Sequence, residues 1–236
     1  MRKITAIIFL SILMFYFVMI IGEITFGEKY KNVSEKDDVS KHYVEKGIEE
    51  NRGSNLVTSI VVNYRGFDTL GEVTVLFLAT TGLSFLLGSC KCLNPMKRIE
   101  GSFVLRAATE TLYPLILLFG AYIFIHGHLT PGGGFQGGTV IASGILLLLL
   151  ANRKYKVNHT PLTIIESIAG ISFAAIGILG LIYSKSFLAN NILPLGNWNE
   201  LVSAGFIPLI YIAVGLKVGA ELSGLLGDMF KTTKER

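Results

Sequence analysis

Long apolar runs constrain this chain more than any other feature of its sequence. Hydrophobic residues make up 51% of its 236 residues. They are concentrated in runs of about 20 residues, the length of helix that crosses the hydrocarbon core of a bilayer. The sequence therefore predicts an all-α integral membrane protein with about six transmembrane helices. We expect these spans at residues 4–22, 71–90, 103–125, 137–151, 162–184 and 201–222.

A polar, basic linker divides the predicted spans into groups of two and four. It covers residues 91–102 and contains Pro95, which favours a break between helices. We therefore predict two domains, residues 1–92 and residues 93–236. A charged external loop follows the first helix. The end of this loop, residues 55–64, has the β-branched composition of a short extended segment, which is suited to contact with the external face of a neighbouring protein.

Positive charge in the short connections predicts the orientation of the spans, because Lys and Arg are retained in cytoplasmic loops. With a cytoplasmic N-terminus, the inner segments carry Arg2, Lys3, Lys91, Lys97, Arg98, Arg153, Lys154, Lys156, Lys231, Lys234 and Arg236. The last two outer loops carry Lys185 alone of these residue types. We therefore expect both termini in the cytoplasm. The net charge of +4 then requires no nucleic-acid partner.

The first span and the end of the second span each suggest a feature that the sequence does not complete: a cleaved signal peptide and a cysteine metal site. Residues 1–22 resemble a signal peptide, but no A-x-A-like cleavage site follows, so we expect a retained first span. Cys90 and Cys92 lie one residue apart at the cytoplasmic end of the second span, where the compartment is reducing. No other cysteine completes a zinc-type set, and we predict no metal site.

The segment from His126 to Gly138, HGHLTPGGGFQGG, lies between two spans and is rich in glycine, which has no side chain. Glycines in such a place suit ion contact, close helix approach or a tight re-entrant turn, and a plain glycine-rich hairpin is the simpler alternative. The span that follows is short, so we expect it to tilt or to begin within this segment. Histidine titrates near neutral pH, which makes His126 a candidate for a proton relay and His128 a candidate for interfacial hydrogen bonding.

Ionisable residues inside spans are costly and therefore mark candidate functional sites. They are Glu72, Arg106, Glu110, Glu166, Lys217 and Glu221. Glu72 and nearby Asp68 also suit simple capping of a helix N-terminus. Arg106 with Glu110, and Lys217 with Glu221, have the four-residue spacing of pairs that neutralise each other. Glu166 has no partner within one turn, so it finds one on another helix, stays protonated or faces water.

Two long motifs resemble parts of known ion-translocating complexes. HGHLTPGGGFQGG with its flanking spans, about residues 100–230, resembles the B subunit of the Mrp-type multisubunit sodium/proton antiporters and the matching subunit of membrane-bound hydrogenase and sulfane-sulfur-reductase complexes. YRGFDTLGEVTVLFLATTG, residues 64–82, resembles the C-terminal segment of the antiporter's large A subunit, which is a separate small E subunit in the hydrogenase-type complexes. The fusion of the two segments departs from the family pattern.

The resemblance implies a non-redox accessory subunit that helps to form a sodium path, binds no cofactor itself and serves the transport of Na⁺ and H⁺. It implies Glu72 as the carboxylate of this path, with Asp68 and Thr74 as nearby oxygen donors for a hard cation. Glu166 and His126 are further candidates for the ion path. Pro131 and Phe135 match positions regarded as important for assembly or transport. The glycines of the same structural loop are Gly132, Gly133, Gly134, Gly137 and Gly138.

The resemblance also implies partners and a location. The partners would be C-, D-, F- and G-like membrane subunits in the lipid bilayer of a prokaryotic plasma membrane, together with a hydrogenase-like redox arm. The separate N-terminal span and charged loop resemble the small E subunit, which favours a hydrogenase or sulfur-reductase type of complex over a stand-alone antiporter. A structural scaffold and an independent channel or carrier remain alternatives. We expect no enzymatic activity from the chain by itself, because it has no nucleotide loop, metal set or nucleophile constellation.

Overall fold

The protein is almost entirely helical wherever its structure is described. This computed structural model describes residues 10–12, 14–16, 18, 19, 39–89, 100–184, 186–190 and 192–231. The helices are α1 (Val39–Asn51), α2 (Leu56–Ser59), which continues as one π-helical turn (Ile60–Tyr64), α3 (Gly66–Ser89), α4 (Phe103–Ile125), α5 (Gly134–Ala151), α6 (His159–Ser184) and α7 (Ile207–Lys231). The described residues between 10 and 19 are also helical. No β-strand occurs among the described residues, and the predicted all-α membrane fold is confirmed.

Five of these helices are long and apolar enough to cross a bilayer. They are Gly66–Gly88, Phe103–Ile125, Gly134–Ala151, His159–Ser184 and Ile207–Phe230. They correspond to the second to sixth predicted spans, although α7 begins later in the chain than predicted. The predicted first span is described only in part, at residues between 10 and 19 that are helical, and both cysteines and most of the linker at 91–102 lie outside the described residues. The total of six spans and the division at residue 92 therefore stay predictions.

Helix α7 lies at the centre of the bundle. It packs most extensively against α5 and α6 and less extensively against α3 and α4. In the apolar segment of α7, 56% of the residues are buried, compared with 11% in α3. The core contains Ile207, Ile210, Val214 and Val218 of α7 with Phe173 of α6. Most of the surface of α3 is consequently left uncovered by the other described helices.

Three connecting segments meet at one end of the bundle, which we call the loop face. They are residues 52–65, 126–133 and the described part of 186–206. The backbone N–H of Asn55 donates to the carbonyl of His128 at 3.0 Å. Gly53 lies against the same carbonyl and against Ala204. Helices α4 and α6 end at the loop face, and α3, α5 and α7 begin there. Consecutive helices from α4 to α7 therefore run in opposite directions.

The connection between α5 and α6 lies at the opposite end of the bundle. There Val157 packs against Gly227, near the end of α7. The same connection carries Arg153, Lys154 and Lys156. These are among the basic residues predicted to lie on the cytoplasmic side. The structure groups them at one end, and the orientation of that end across the membrane stays a prediction.

Glycines allow α5 to approach its two neighbours backbone to backbone. The helix begins at Gly134, which confirms that the short span starts inside the glycine-rich segment. A Cβ atom on Gly137 would lie 2.6 Å from the carbonyl oxygen of Gly120 in α4, and one on Gly138 would lie 2.8 Å from the carbonyl oxygen of Gly215 in α7. Small residues at helix contacts permit this approach in membranes. Of the roles left open for the segment, the structure supports close helix approach.

Residues 56–64, which follow the N-cap Asn55, are helical, and the prediction of an extended segment is wrong. The side chain of Asn55 caps α2 by accepting a hydrogen bond from the backbone N–H of Thr58 at 3.3 Å. The chain then continues as the π-helical turn, in which Val62 is fully buried. Intrinsic preference is a weak guide because tertiary packing overrides it. The β-branched composition therefore does not produce a strand here: Thr58 and Val62 are buried within the helical segment, and Val57 is exposed.

The start of α2 also binds the glycine-rich segment of the same chain. The Asn55 side chain donates to the carbonyls of Gly127 and Thr130, each at 3.0 Å. The Thr58 hydroxyl donates to the Gly127 carbonyl at 2.7 Å and accepts from the Tyr211 hydroxyl at 3.1 Å. We call Asn55 and Thr58 the loop clamp. The clamp occupies these carbonyls with internal hydrogen bonds, so the segment predicted to meet a neighbouring protein meets this chain's own loop.

The glycine contact between α5 and α7 predicts the effect of a single added methyl group. Gly138→Ala should destabilise the chain by about 1–3 kcal/mol, because its Cβ meets backbone atoms that cannot move aside. Gly82→Ala is the matched control, since its added Cβ meets no other described atom within 4 Å beyond the nearby backbone of its own helix. Thermal unfolding of the purified complex measures both. Equal unfolding temperatures for the two variants would contradict the packing argument.

Candidate functional site

The three oxygen donors predicted on α3 do not form one site within this chain. The Asp68 carboxylate pairs with Arg65, and the Thr74 hydroxyl donates to the carbonyl of Leu70 at 2.7 Å. Asp68 and Glu72 are four residues apart and share a helix face, whereas Thr74 lies on another. Glu72 is exposed, and the described part of the chain provides it with no hydrogen bond or ion pair.

The structure instead brings Glu166 to a charged pair in the interior. The Lys217 ammonium lies 3.4 Å from Oε1 of Glu166 on α6 and 3.4 Å from Oε2 of Glu221 on its own helix. The side chains are 22%, 11% and 4% exposed for Glu166, Lys217 and Glu221 respectively. We call these residues the Lys217 triad. The predicted pair between Lys217 and Glu221 is present, and Glu166 finds its partner on another helix, one of the three outcomes predicted for it.

Helix α3 completes the surroundings of the triad. The Thr80 hydroxyl donates to Oε1 of Glu221 at 2.7 Å, and the Lys217 Nζ lies 5.0 Å from the centre of the Phe77 ring. That distance allows a cation–π attraction. The sequence did not predict a role for Thr80, because its contact with Glu221 depends on how α3 and α7 are aligned against each other in the folded protein. With two carboxylates and one ammonium, the triad has a formal charge of −1 when all three groups are ionised.

A cavity of about 200 Å³ with a mixed polar and apolar lining adjoins the triad between α3, α6 and α7. Its polar lining consists of Thr80, Thr81 and Ser84 from α3, His159, Thr163 and Glu166 from α6, and Glu221 and Asp228 from α7. Nε2 of His159 lies 3.3 Å from Oδ1 of Asp228 at the end opposite the loop face. A space of this size with these polar groups in its walls has room for several water molecules.

The two histidines lie at the loop face and not at this cavity. His126 caps the C-terminus of α4, where Nδ1 lies 3.2 Å from the Tyr122 carbonyl and the two rings stack at 4.2 Å. The structure therefore does not bring His126 to Glu166. His128 is fully buried, and neither ring nitrogen has a hydrogen bond among the described residues. Burial lowers the pKa of His128 below its usual value of 6.5, although the backbone of Glu200 and Leu201 acts in the opposite direction.

The remaining residues of the structural loop surround the turn into α5. Gly132 lies against the carbonyl of Ile123, and buried Gly133 is the N-cap of α5. Pro131 is exposed, and Phe135 packs against the hydrophobic core. These residues shape and anchor the turn. Their predicted importance for transport stays a prediction.

The second predicted ion pair takes a different form. Arg106 Nη1 lies 3.4 Å from Oε1 of Glu100, so the arginine pairs with a residue before α4. The predicted pairing with Glu110 is not among the ion pairs of the described residues. Both Arg106 and Glu100 are about half exposed or more, at 48% and 60%. Such a pair contributes little to stability.

Comparison with protein families matches both segments of the chain. Residues 104–224 match the family described as a domain related to the MnhB subunit of Na⁺/H⁺ antiporters. The chain belongs to this MnhB-related family. Residues 17–92 match the MbhE family, described as the E subunit of MBH. The protein is thus an MnhB/MbhE-type component of Mrp-like antiporter modules, and α4–α7 form its MnhB-like part.

Individual proteins and structures extend this likeness. The B subunit of the Na⁺/H⁺ antiporter of Bacillus subtilis is 35% identical over 119 residues, which are 47% of this chain and 83% of that protein. A chain in the structure of the membrane-bound sulfane sulfur reductase, an archaeal respiratory membrane complex, is 40% identical with a TM-score of 0.74, and the match covers 97% of this chain and 98% of that one. A chain of the Mrp complex from Dietzia sp. DQ12-45-1b is 22% identical with a TM-score of 0.67, over 97% of this chain and 26% of that one, and shares its fold.

Both family segments contribute to the internal contacts of this MnhB-related chain. Thr80, in the MbhE-like segment, hydrogen-bonds to Glu221 in the MnhB-like segment. The loop clamp joins the same two segments at the other end of the bundle. The polar site and the loop face are therefore built jointly by the two segments.

Burial of the triad predicts that removal of its lysine is costly. Lys217→Met leaves two carboxylates without their shared cation, and we expect a loss of about 3 kcal/mol of stability. Arg106→Met removes the cation of an exposed pair, and the expected loss is about 1 kcal/mol or less. Thermal unfolding of the complex measures both. Equal shifts for the two variants would contradict the triad, and Glu221→Gln added to Lys217→Met should restore part of the loss.

Proposed function

We propose that this chain forms one wall of a cation path in an Mrp-like antiporter module, with Glu72 as the carboxylate of the path and Na⁺ and H⁺ as the transported ions. The observation that carries the proposal is the position of Glu72. Its exposed carboxylate lies on α3, which is buried over only 11% of its apolar segment. The chain acts in this proposal as a non-redox subunit and does not transport ions by itself.

The depth of Glu72 in α3 favours a partner over lipid. Glu72 is six residues after the start of the helix, which is about 9 Å along the axis at the usual rise. Large apolar side chains follow on the exposed surface of α3, including Val75, Leu78, Phe85 and Leu86. An ionised carboxylate that faces hydrocarbon is costly, by about 3 kcal/mol at the centre of a membrane helix on insertion scales. A polar neighbouring subunit or a hydrated path removes this cost.

Asp68 adds negative charge one turn before Glu72 on the same face, although Arg65 pairs with it. Thr74 contributes less to this site, because its face differs and its hydroxyl is bonded within α3. Carboxylate oxygens supplied partly by this chain and partly by a neighbour would suit a hard monovalent cation. This division of ligands supports a path at an interface between subunits. The interface partners are other members of the antiporter module.

The host complex in this proposal is a respiratory complex of the hydrogenase or sulfur-reductase type. The extent of likeness to a chain of the sulfane sulfur reductase, over 97% of this chain at 40% identity, supports it. The match to the MbhE family over residues 17–92 supports it also. A stand-alone antiporter is the second candidate, favoured by the match to an antiporter's B subunit. In either host, we propose a multi-pass plasma-membrane location with cytoplasmic termini, since the basic connection 152–158 lies opposite the loop face.

Substitution of the carboxylate tests the cation path directly. Glu72→Gln removes the negative charge with little change of volume, and we expect sodium transport by vesicles that hold the assembled complex to fall about tenfold or more, the effect of losing about 1.4 kcal/mol of cation binding. Glu110→Gln is the matched control, because it removes an exposed glutamate from another membrane helix. Uptake of ²²Na⁺ measures transport after equal assembly has been confirmed.

The outcomes separate the path from a scaffold. Loss of transport in Glu72→Gln with normal transport in Glu110→Gln supports the path. Unchanged transport in both variants would assign Glu72 to capping of α3 and the chain to a structural role. Transport by liposomes that contain this chain alone would contradict the proposed need for partners.

A further inference from the structure

The Lys217 triad is more than a neutralised ion pair. Its three charged groups come from two helices, and one negative charge has no counterpart within the triad. The cost of charge in a membrane interior would favour neutrality if the group served stability alone. The uncompensated charge is therefore an unexplained feature of the bundle. It lies beside the cavity between α3, α6 and α7, whose size allows water to reach it.

Hydrogen bonding within the triad is also incomplete. Oε2 of Glu221 is buried and has no hydrogen-bond partner among the described residues, and the side chain is only 4% exposed. The ammonium of Lys217 lies 3.4 Å from this oxygen, which is longer than an ordinary hydrogen bond of about 2.7–3.2 Å. A buried acceptor without a donor is costly, at about 1–3 kcal/mol or more for a charged group. A proton or a water molecule in the cavity would satisfy it.

The charged side chains along the cavity become more buried from His159, at the end opposite the loop face, to the triad. Helix α6 contributes His159 and Glu166, and α7 contributes Asp228 and Glu221 together with Lys217 beside the cavity. Helix α3 contributes the hydroxyls of Thr80, Thr81 and Ser84 and no charged side chain to this lining. Side-chain exposure falls from 32% at His159 to 22% at Glu166 and 4% at Glu221.

We propose that this cavity is a water-filled proton inlet that opens away from the loop face, and that the Lys217 triad is its proton-binding site. A proton delivered by cavity water binds to a carboxylate oxygen of Glu166 or Glu221, which changes the triad from −1 to neutral. The proton returns to water when it is released. Lys217 keeps its own proton and bridges the two carboxylates. This inference rests on the proposed ion-translocating role of the chain and adds a proton site separate from the cation path at Glu72.

The position of Lys217 argues for a proton and against Na⁺ at this site. The ammonium already lies between the carboxylates, where a metal cation would have to sit. A second positive charge about 4 Å from it would be repelled by about 4 kcal/mol at an effective dielectric constant near 20. A proton on a carboxylate removes a negative charge without adding a separate cation. The site therefore favours a proton, which needs no shell of coordinating ligands, over Na⁺.

Separate measurements of proton and sodium movement test the proposal. In vesicles with the assembled complex, a pH dye reports sodium-driven proton movement, and ²²Na⁺/Na⁺ exchange at equal pH on both sides reports the cation path alone. Glu166→Gln and Glu221→Gln should reduce proton movement by about a hundredfold, the usual effect of losing a positioned proton carrier. Their ²²Na⁺/Na⁺ exchange should stay within about twofold of wild type. Glu100→Gln, in an exposed pair, is the matched control for both readouts.

Each outcome is informative about one of the two proposals. Normal proton movement in both variants would overturn the proton site, and so would equal loss of proton movement and sodium exchange. The Glu72→Gln variant is scored by sodium exchange, so failure of the cation path is distinguishable from failure of the proton site.

Thiol labelling tests the water-filled inlet even if the glutamine variants fail to assemble. Thr163→Cys places a thiol on the cavity wall, in a background where Cys90→Ser and Cys92→Ser remove the native thiols. A membrane-impermeant maleimide should label it from the side that carries the 152–158 connection, because thiolate formation needs water. Ser143→Cys, exposed on the outer surface of α5, is the control and should remain unlabelled. Absence of labelling at residue 163 would overturn the inlet.

Discussion

The close approach of α5 to α7 at Gly138 and Gly215 is the contact on which the rest of this structure depends. Lipid tails are as apolar as leucine side chains, so helices in a membrane associate through close packing instead of hydrophobic burial. Glycine removes the side chain that would hold the two backbones apart. With α5 on one side of it, α7 becomes the most buried helix and presents its remaining surface to α6 and α3. The polar site forms on that surface.

The chain separates its two polar regions in space. Glu72 lies on the side of α3 that the other described helices leave exposed, whereas the Lys217 triad lies between helices of this chain. The two proposals use this separation, with a shared cation path at the interface and a proton site inside the bundle. Thr80 and Phe77 connect the regions, because α3 carries Glu72 on an exposed face and touches the triad with another.

Several features of the fold and site could be predicted from local sequence. The apolar runs placed four of the helices within about five residues at each end, whereas α7 begins and ends later than predicted. The four-residue spacing indicated the pair between Lys217 and Glu221. Local composition failed at residues 55–64, where buried Val62 and the cap at Asn55 favour helix over strand. Spacing also failed at Arg106, which pairs with Glu100 before the helix and not with Glu110 within it. In both cases, contacts outside the local pattern decided the result.

The sequence by itself determined the class of protein and five of its candidate spans, because a run of about 20 apolar residues has the length and composition that cross the hydrocarbon core of a bilayer. It also determined the family, through two long motifs. Only the tertiary structure decided that α2 holds the glycine-rich segment, that Glu166 reaches Lys217 and that Thr80 reaches Glu221. Those contacts join residues far apart in the chain, and their existence depends on which helices approach closely and in which register. That register is set by packing among several helices at once, and no single segment contains it.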